Sequence, residues 1–233
     1  MATASLITTF NRPAALARSL RQIVALGAPV LVVDDGSSQR RENEQVCGPY
    51  HANYLFLPGN RGLSAALNIG LAYWMADKSI NWISYFQDDV DVHPKTLIEM
   101  EQFQNHGLGQ HILTGHDAGE HSAYHEQNYL GRLIKFKWSI RATHIHASAE
   151  FWKSVFPIPT RELGAPKRNG PGRGLGSNCD WWIVRDSPNS CQKTKRPILC
   201  VPGLVRSFLW KAEDSCWNNT QKAGEDLPLR TDL

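Results

Sequence analysis

The sequence has no long hydrophobic run. No stretch of about eighteen apolar residues occurs in its 233 positions, which excludes a hydrophobic membrane-spanning helix. Its N-terminal stretch has neither the basic opening nor the small-residue cleavage site of a secretory signal. Charge of one sign is scarce as well: 25 basic against 22 acidic side chains give a formal net charge of +3, too little to mark a nucleic-acid binder by composition. Cysteine is sparse, and no two of Cys47, Cys179, Cys191, Cys200 and Cys216 stand as CxxC, which argues against a zinc ribbon. Five thiols with no export signal point to reduced cysteines and a cytoplasmic setting. Low-complexity tracts and internal repeats are absent, and a hydrophobic fraction of 42% is too high for a disordered chain. The chain is long enough to bury a sizeable core and is expected to form a single domain over 1–233.

What is present alternates. Ser5 to Phe10 reads as a strand, and Asn11 offers a side-chain oxygen as a helix N-cap with Pro13 close behind. Leu16, Leu20, Ile23 and Val24 then follow at helical spacing. Val30 to Val33 is a second apolar run and Tyr54 to Leu57 a third; Leu63, Ala66, Leu67, Gly70, Leu71 and Trp74 mark another helix. Trp82 to Phe86 is a fourth strand, Pro94 opens a helix, and His111 to Thr114 is a fifth strand. Strand and helix in strict alternation predict a parallel sheet, with ligands bound beyond the carboxyl ends of the strands. The second half is less regular: a strand over Thr143 to Ala147, a helix over Ala149 to Val155, and a glycine-rich basic loop over Gly164 to Ser177. A helix opening at Asp180 and a late strand over Ile198 to Val201 complete it, and the tail after Asn218 reads as polar.

Polar groups gather at the predicted strand ends: Asn11-Arg12, Asp34-Asp35-Gly36-Ser37 and Gln87-Asp88-Asp89-Val90-Asp91. Three acids within four positions repel unless a cation sits among them, and Mg²⁺ or Mn²⁺ held by one or two carboxylates and substrate phosphates would serve. A solvated turn that ends a strand is the competing reading. Asp34-Asp35-Gly36-Ser37 is either a turn or an acceptor for a nucleobase N–H or ribose hydroxyl. Asn60-Arg61-Gly62 ahead of a helix permits close backbone approach to a nucleotide.

Taken in order, these segments resemble family 2 glycosyltransferases of the GT-A fold group. They are Leu6-Ile7-Thr8-Thr9-Phe10-Asn11-Arg12, Val32-Val33-Asp34-Asp35-Gly36-Ser37, Asn60-Arg61-Gly62 with Asn68-Ile69-Gly70, and Gln87-Asp88-Asp89-Val90 with His93-Pro94. The resemblance is dense from Ser5 to about Leu97 and thinner through Gly176-Ser177-Asn178-Cys179-Asp180-Trp181-Trp182 and Val201-Pro202-Gly203-Leu204-Val205. It implies an α/β, Rossmann-like, mostly parallel sheet flanked by helices, with a donor half over 1–105 and an irregular acceptor half over 106–233. It further implies that Thr9 and Asp34 or Asp35 hold the base and ribose, with Asn11, Arg12, Asn60, Gly62, Asn68 and Asp88 on the donor side. A Mn²⁺ or Mg²⁺ ion would rest mainly on Asp89, with Asp91, and Asp180 would be the general base. The donor implied is a nucleoside diphosphate sugar, UDP-type. The acceptor implied is a glycan, a lipid-linked saccharide or a small molecule. Two positions depart from the family pattern: Gln87 replaces the first acid of its DxD motif, and Ser207, beside Arg206, replaces a histidine of some relatives.

The remaining chemistry-bearing residues carry alternatives. Asp180 at a helix start is either a cap or a base taking a proton from an acceptor hydroxyl. Trp181 and Trp182 beside it would pack in the core or cover a sugar face. The loop with Lys167, Arg168 and Arg173 lacks GK[ST], so it is no Walker A loop; it is either a surface loop or a lid. His116, His121, His125, His144 and His146 are expected at the surface or the acceptor site rather than on a metal. Trp138 and Trp152 are read as an acceptor platform or as core. Three further functions compete: a nucleotidyltransferase, which lacks its glycine-rich basic signature here; a glycosyltransferase acting on a hydroxylated DNA base; and a non-catalytic nucleotide- or nucleic-acid-binding module.

Overall fold

The computed structural model of the chain describes residues 2–118, 121–160 and 179–208. The first half runs β1 (Ala2–Thr9), α1 (Pro13–Val24), β2 (Val30–Asp34), α2 (Arg40–Cys47), β3 (Asn53–Phe56), α3 (Leu63–Ala76), β4 (Ile80–Gln87), β5 (Val90–Val92) and α4 (Thr96–Phe103). Then come β6 (Leu113–His116), β7 (Ala123–Tyr129), β8 (Arg132–Lys137), β9 (His144–Ser148), α5 (Ala149–Val155), α6 (Cys179–Trp181) and β10 (Ile198–Ser207). Among the described residues all ten strands share one sheet, ordered β3-β2-β1-β4-β9-β6-β10-β8-β7, with β5 paired to β10.

The first four strands of that order, β3 to β4, are parallel throughout. β1, β2 and β4 are buried at nearly every position because both faces are covered. Ile7, Val30, Val32 and Phe86 cluster with Leu16, Leu20 and Ile23 of α1; Leu6, Leu31, Val33 and Tyr85 cluster with Leu67, Leu71 and Trp74 of α3. The three α1 side chains are fully buried, each stabilising by about 1.5–3 kcal/mol, which exceeds what helix propensity alone supplies. Pro13 occupies the first turn of α1, where its missing N–H is harmless. Gly70 lets α3 lie flush on the sheet, since a Cβ there would stand 2.2 Å from Leu6 Cδ1.

Beyond β4 the sheet is mixed. β9 lies antiparallel beside β4, β6 antiparallel beside β9, β10 parallel to β6, and the β7–β8 hairpin antiparallel at the far edge. One sheet therefore joins the two halves. Trp152 of α5 is fully buried in the larger cluster and donates its indole N–H to the Ile83 carbonyl at 3.2 Å, so it belongs to the core and not to an acceptor platform. Trp138 is 37% exposed and stacks on Tyr124.

Several expectations are corrected. Asn11 does not cap α1: Arg12 takes that position without a side-chain cap bond, and Asn11, at φ 55°, accepts from the Ser38 N–H instead, at 2.8 Å. The side chain thereby ties the end of β1 to the turn after β2. The histidines divide: His125 is exposed and His121 half-buried, whereas three others lie inside. His116, His144 and His146 are buried; His144 meets Ser84 Oγ at 3.0 Å and accepts the Gly115 N–H at 2.9 Å, and His146 contacts Gln104 and stacks on Trp82. Burial pushes the His146 imidazole down to about 3, so it is a neutral core residue. Cys47, Cys179, Cys191 and Cys200 are buried free thiols, as expected of reduced cysteines. The loop carrying Lys167, Arg168 and Arg173, the residue Cys216 and the tail after Asn218 lie outside the described residues.

Candidate active site

Parallel register brings the strand ends to one edge. Thr9 of β1 pairs with Asp34 of β2, and Thr8 with Gln87 of β4, so the residues that follow these strands open on the same side. The Asp35 N–H donates to the Thr9 carbonyl at 2.9 Å, extending that contact by one residue.

Asp34 and Asp35 serve different neighbours. Asp34 is fully buried; its Oδ1 accepts the Ser37 N–H (2.8 Å), and its Oδ2 accepts Asn43 Nδ2 (2.8 Å) and the Tyr54 hydroxyl (2.6 Å). Asp35 accepts the backbone N–H groups of Arg61 (2.8 Å) and Gly62 (2.7 Å). Burial raises the Asp35 carboxyl above its ordinary value, and those two amides oppose the rise. Gly62 also donates to Asn60 Oδ1 at 3.0 Å and holds φ +88° just ahead of α3. The turns after β2 and β3 pack backbone on backbone: a Cβ on Gly36, at φ +77°, would stand 2.2 Å from the Gly59 carbonyl carbon.

The acidic turn after β4 is clasped by α1. Asp88 Oδ2 accepts the Thr9 hydroxyl at 2.7 Å. Arg12 Nη1 lies 3.1 Å from Asp88 Oδ1 and 3.0 Å from Asp89 Oδ2. Burial pushes the Asp88 carboxyl up to about 6, with Arg12 opposing and Asp89 adding to the rise. Burial raises Asp89 too, against Arg12 and the more remote charge of Arg141. Asp89 Oδ1 is buried with no hydrogen-bond partner among the described residues. Ser19 of α1 fixes the backbone beneath, its hydroxyl 2.8 Å from the Asp88 carbonyl and accepting the Val90 N–H at 3.0 Å. Phe208 N–H donates to the Asp89 carbonyl at 3.0 Å, tying in the end of β10.

Asp91 does not join this pair. Arg18 grips it through Nε (2.8 Å) and Nη2 (2.6 Å), Gln22 donates at 3.1 Å and Arg206 at 2.8 Å. Burial alone would raise this carboxyl, but the bonds from Arg206, Gln22 and Arg18 bring it below the ordinary value. In this arrangement Asp91, expected beside the metal, anchors β5 to α1 and β10. Asn68 is likewise committed elsewhere, its amide exchanging two bonds with the Ile158 backbone at 2.7 and 2.8 Å. Sequence reasoning missed Arg141, for which no motif exists; the bond from Gln87 N–H to the Thr143 carbonyl (3.0 Å) brings its loop against the acidic turn.

Cys179, the residue before Asp180, acts on Tyr85 at the back of this region. Tyr85, buried behind the acidic turn, hydrogen-bonds Thr8 Oγ1 at 2.9 Å and feels the charges of Cys179, Asp88 and Asp89. Asp180 is half-buried at the start of α6 and accepts the Trp181 N–H at 3.1 Å. Trp181 lies 4.1 Å under the Arg185 guanidinium. Trp182 is partly buried against the core and donates its indole N–H to the Val155 carbonyl at 2.6 Å. Arg173 lies outside the described residues.

Among the described residues no three His, Cys, Asp or Glu side chains stand together as a complete metal site. The buried Asp89 Oδ1 nonetheless fits a hard divalent ion whose other ligands are substrate oxygens and water.

The model of the family described as glycosyl transferase family 2 matches residues 5–163, which include the ends of β1, β2, β3 and β4. No curated protein matches the sequence. Among solved structures, that of S. aureus TarS superposes with a TM-score of 0.58 at 15% identity, over 87% of this chain and 35% of that one. S. aureus TarS 1–349 in complex with UDP gives 0.58 at 15% identity, over 86% of this chain and 58% of that one. The chain thus spans between about a third and somewhat over half of the length of these structures, and the likeness is one of fold. With most of its length matched, strand-end acids included, the chain belongs to glycosyl transferase family 2.

Proposed function

We propose that the chain transfers a sugar, with inversion, from a UDP-type nucleoside diphosphate sugar to an acceptor hydroxyl on a glycan or lipid-linked saccharide. The observation that carries this reading is the Thr9–Arg12–Asp88–Asp89 cluster at the carboxyl edge of a parallel sheet, with one buried carboxylate oxygen, Asp89 Oδ1, left for a ligand. The bound UDP of TarS 1–349 supports the choice of donor.

In this reading 1–233 is one domain, with the donor bound by 1–105 and the acceptor by 106–233. The backbone of Asn60–Gly62, held by Asp35, approaches the nucleotide, and Thr9 and Arg12 fix the acidic turn. Asp89 would hold Mn²⁺ or Mg²⁺, the ion supplying charge stabilisation for the departing diphosphate. Arg12 and Arg141 add positive charge beside it. Asp180 takes the proton from the acceptor hydroxyl on the face opposite the leaving group, which inverts the anomeric carbon; such a base contributes about 10²–10⁴-fold. Among the described residues no helix is long and apolar enough to cross a membrane.

The test is calorimetric and kinetic together. UDP titrated with Mn²⁺ or Mg²⁺ is expected to bind, and a screen of UDP-sugars to release UDP by slow hydrolysis before any acceptor is supplied. Asp180→Asn should keep UDP affinity and lose turnover by about 10²-fold or more. Failure of any nucleotide to bind with either metal would overturn the reading. Full turnover in Asp180→Asn would remove Asp180 as the base.

A further inference from the structure

The same guanidinium nitrogen of Arg12 serves two acids, 3.1 Å from Asp88 Oδ1 and 3.0 Å from Asp89 Oδ2, with its side chain only 11% exposed. An ion bridging those two oxygens would have to stand where that nitrogen stands. The remaining oxygens are unequal: Asp88 Oδ2 already accepts Thr9, while Asp89 Oδ1 is buried without a partner. We infer that Arg12 is a built-in counter-cation that excludes divalent ions from the Asp88–Asp89 pair until a diphosphate arrives, making metal loading depend on donor.

Charge supports the coupling. Asp88 and Asp89 face Arg12, and Arg141 also acts on Asp89, so positive charge already stands beside the acids before ligand enters. A divalent cation alone adds uncompensated positive charge to a buried place, where effective dielectric is low and repulsion strong. The same cation entering with the two negative charges of a nucleoside diphosphate sugar adds no net charge. It also gains phosphate oxygens, which one carboxylate oxygen cannot replace, because such ions require several ligands. Arg12 then needs to leave neither acid entirely: Asp88 is held by Thr9 and Arg12, and Asp89 Oδ1 would be the oxygen that holds the ion.

This inference rests on the metal-dependent reading proposed above, and the experiment separates the two. Mn²⁺ binding is measured by electron paramagnetic resonance of the free ion, with and without UDP, for the wild type, Arg12→Gln and Arg12→Lys. In the wild type, UDP is expected to raise Mn²⁺ affinity by at least about tenfold, the scale of one competing close charge. Arg12→Gln should bind Mn²⁺ alone about tenfold more tightly than the wild type and show a smaller gain from UDP. Arg12→Lys, which keeps the charge on a shorter side chain that brings it less close to the two acids, should fall between them. A thermal melt checks that each variant is folded, and the lysine variant decides the matter if the glutamine one is not. Equal Mn²⁺ affinity without UDP in all folded proteins, with UDP–Mn²⁺ binding intact, would overturn the counter-cation role alone. Absence of Mn²⁺ binding in the wild type even with UDP would overturn the metal reading itself.

Discussion

Gly36 offers the sharpest test of how the donor edge is built. It holds φ +77°, and a Cβ there would meet the Gly59 carbonyl carbon at 2.2 Å and the Asn60 nitrogen at 2.5 Å. Those are backbone atoms that no rotamer change can move aside. Gly27 holds nearly the same conformation, φ +83°, with nothing within 4 Å of its Cβ position. The pair therefore separates backbone strain from steric collision. Gly27→Ala carries only the left-handed penalty, about 1–2 kcal/mol. Gly36→Ala carries that penalty plus overpacking of about 1–3 kcal/mol, so about 2–5 kcal/mol in all. For a chain of this size about 2–4 °C of Tm accompanies each kcal/mol, and urea unfolding at 25 °C gives the energies directly. Function should divide the same way. To relieve the contact, the 59–62 backbone must move away from Asp35, which orients Arg61 and Gly62. UDP affinity should then fall in Gly36→Ala and hold in Gly27→Ala. Equal destabilisation of the two variants, with equal UDP affinity, would refute the direct packing of the two turns.

Two further outcomes follow from buried polar contacts. Asp117 accepts Lys135 Nζ at 2.8 Å and pairs with Lys137, which is 1% exposed, so Asp117→Asn leaves a buried ammonium uncompensated at a cost of about 3–5 kcal/mol, read by urea unfolding. Burial raises the Asp117 carboxyl but the two lysines bring it below 3.8; its stabilisation is therefore present above that value and lost as pH falls through the folded one, an acid-side decline that the variant should lack. Asn68→Ala should cost about 1–3 kcal/mol through its two bonds to Ile158 and leave UDP affinity unchanged, whereas a loss of UDP affinity at unchanged stability would restore Asn68 to the donor site.

The parallel half was legible because strands covered on both faces carry apolar runs, and Val30–Val33 of β2 and Trp82–Phe86 of β4, interrupted only by Ser84, are such runs. β7 escaped notice for the opposite reason: at the far edge, with its central residues exposed, it has no apolar alternation to read. Helix α2 buries only Asn43 and Cys47, too little for a stripe. Among site residues, the acids were visible by kind and position, but their partners were not. Asp91 is claimed by Arg18 and Arg206, 73 and 115 positions away, and His144 by Ser84 across 60. No local pattern encodes such distances. Hence the sequence could not tell a carboxylate that waits for a ligand from one that holds the fold.

That distinction governs how variants of Asp34 should be read. A conserved-size change, Asp34→Asn, would test a ribose contact only if the carboxylate were open to one. All three of its partners, the Ser37 N–H, the Asn43 amide and the Tyr54 hydroxyl, are donors. Whichever way an asparagine turns, its NH₂ faces at least one of them, and the side chain is fully buried, so water cannot compensate. The expected result is a loss of about 1–3 kcal/mol of stability together with UDP affinity, because Ser37 also accepts the Asn11 N–H at 2.7 Å and the β1 end shifts with it. Lost activity in this variant would therefore report a collapsed scaffold. Only a fall in UDP affinity with an unchanged melt would make Asp34 a direct donor contact, and that result would refute its assignment as a structural hub.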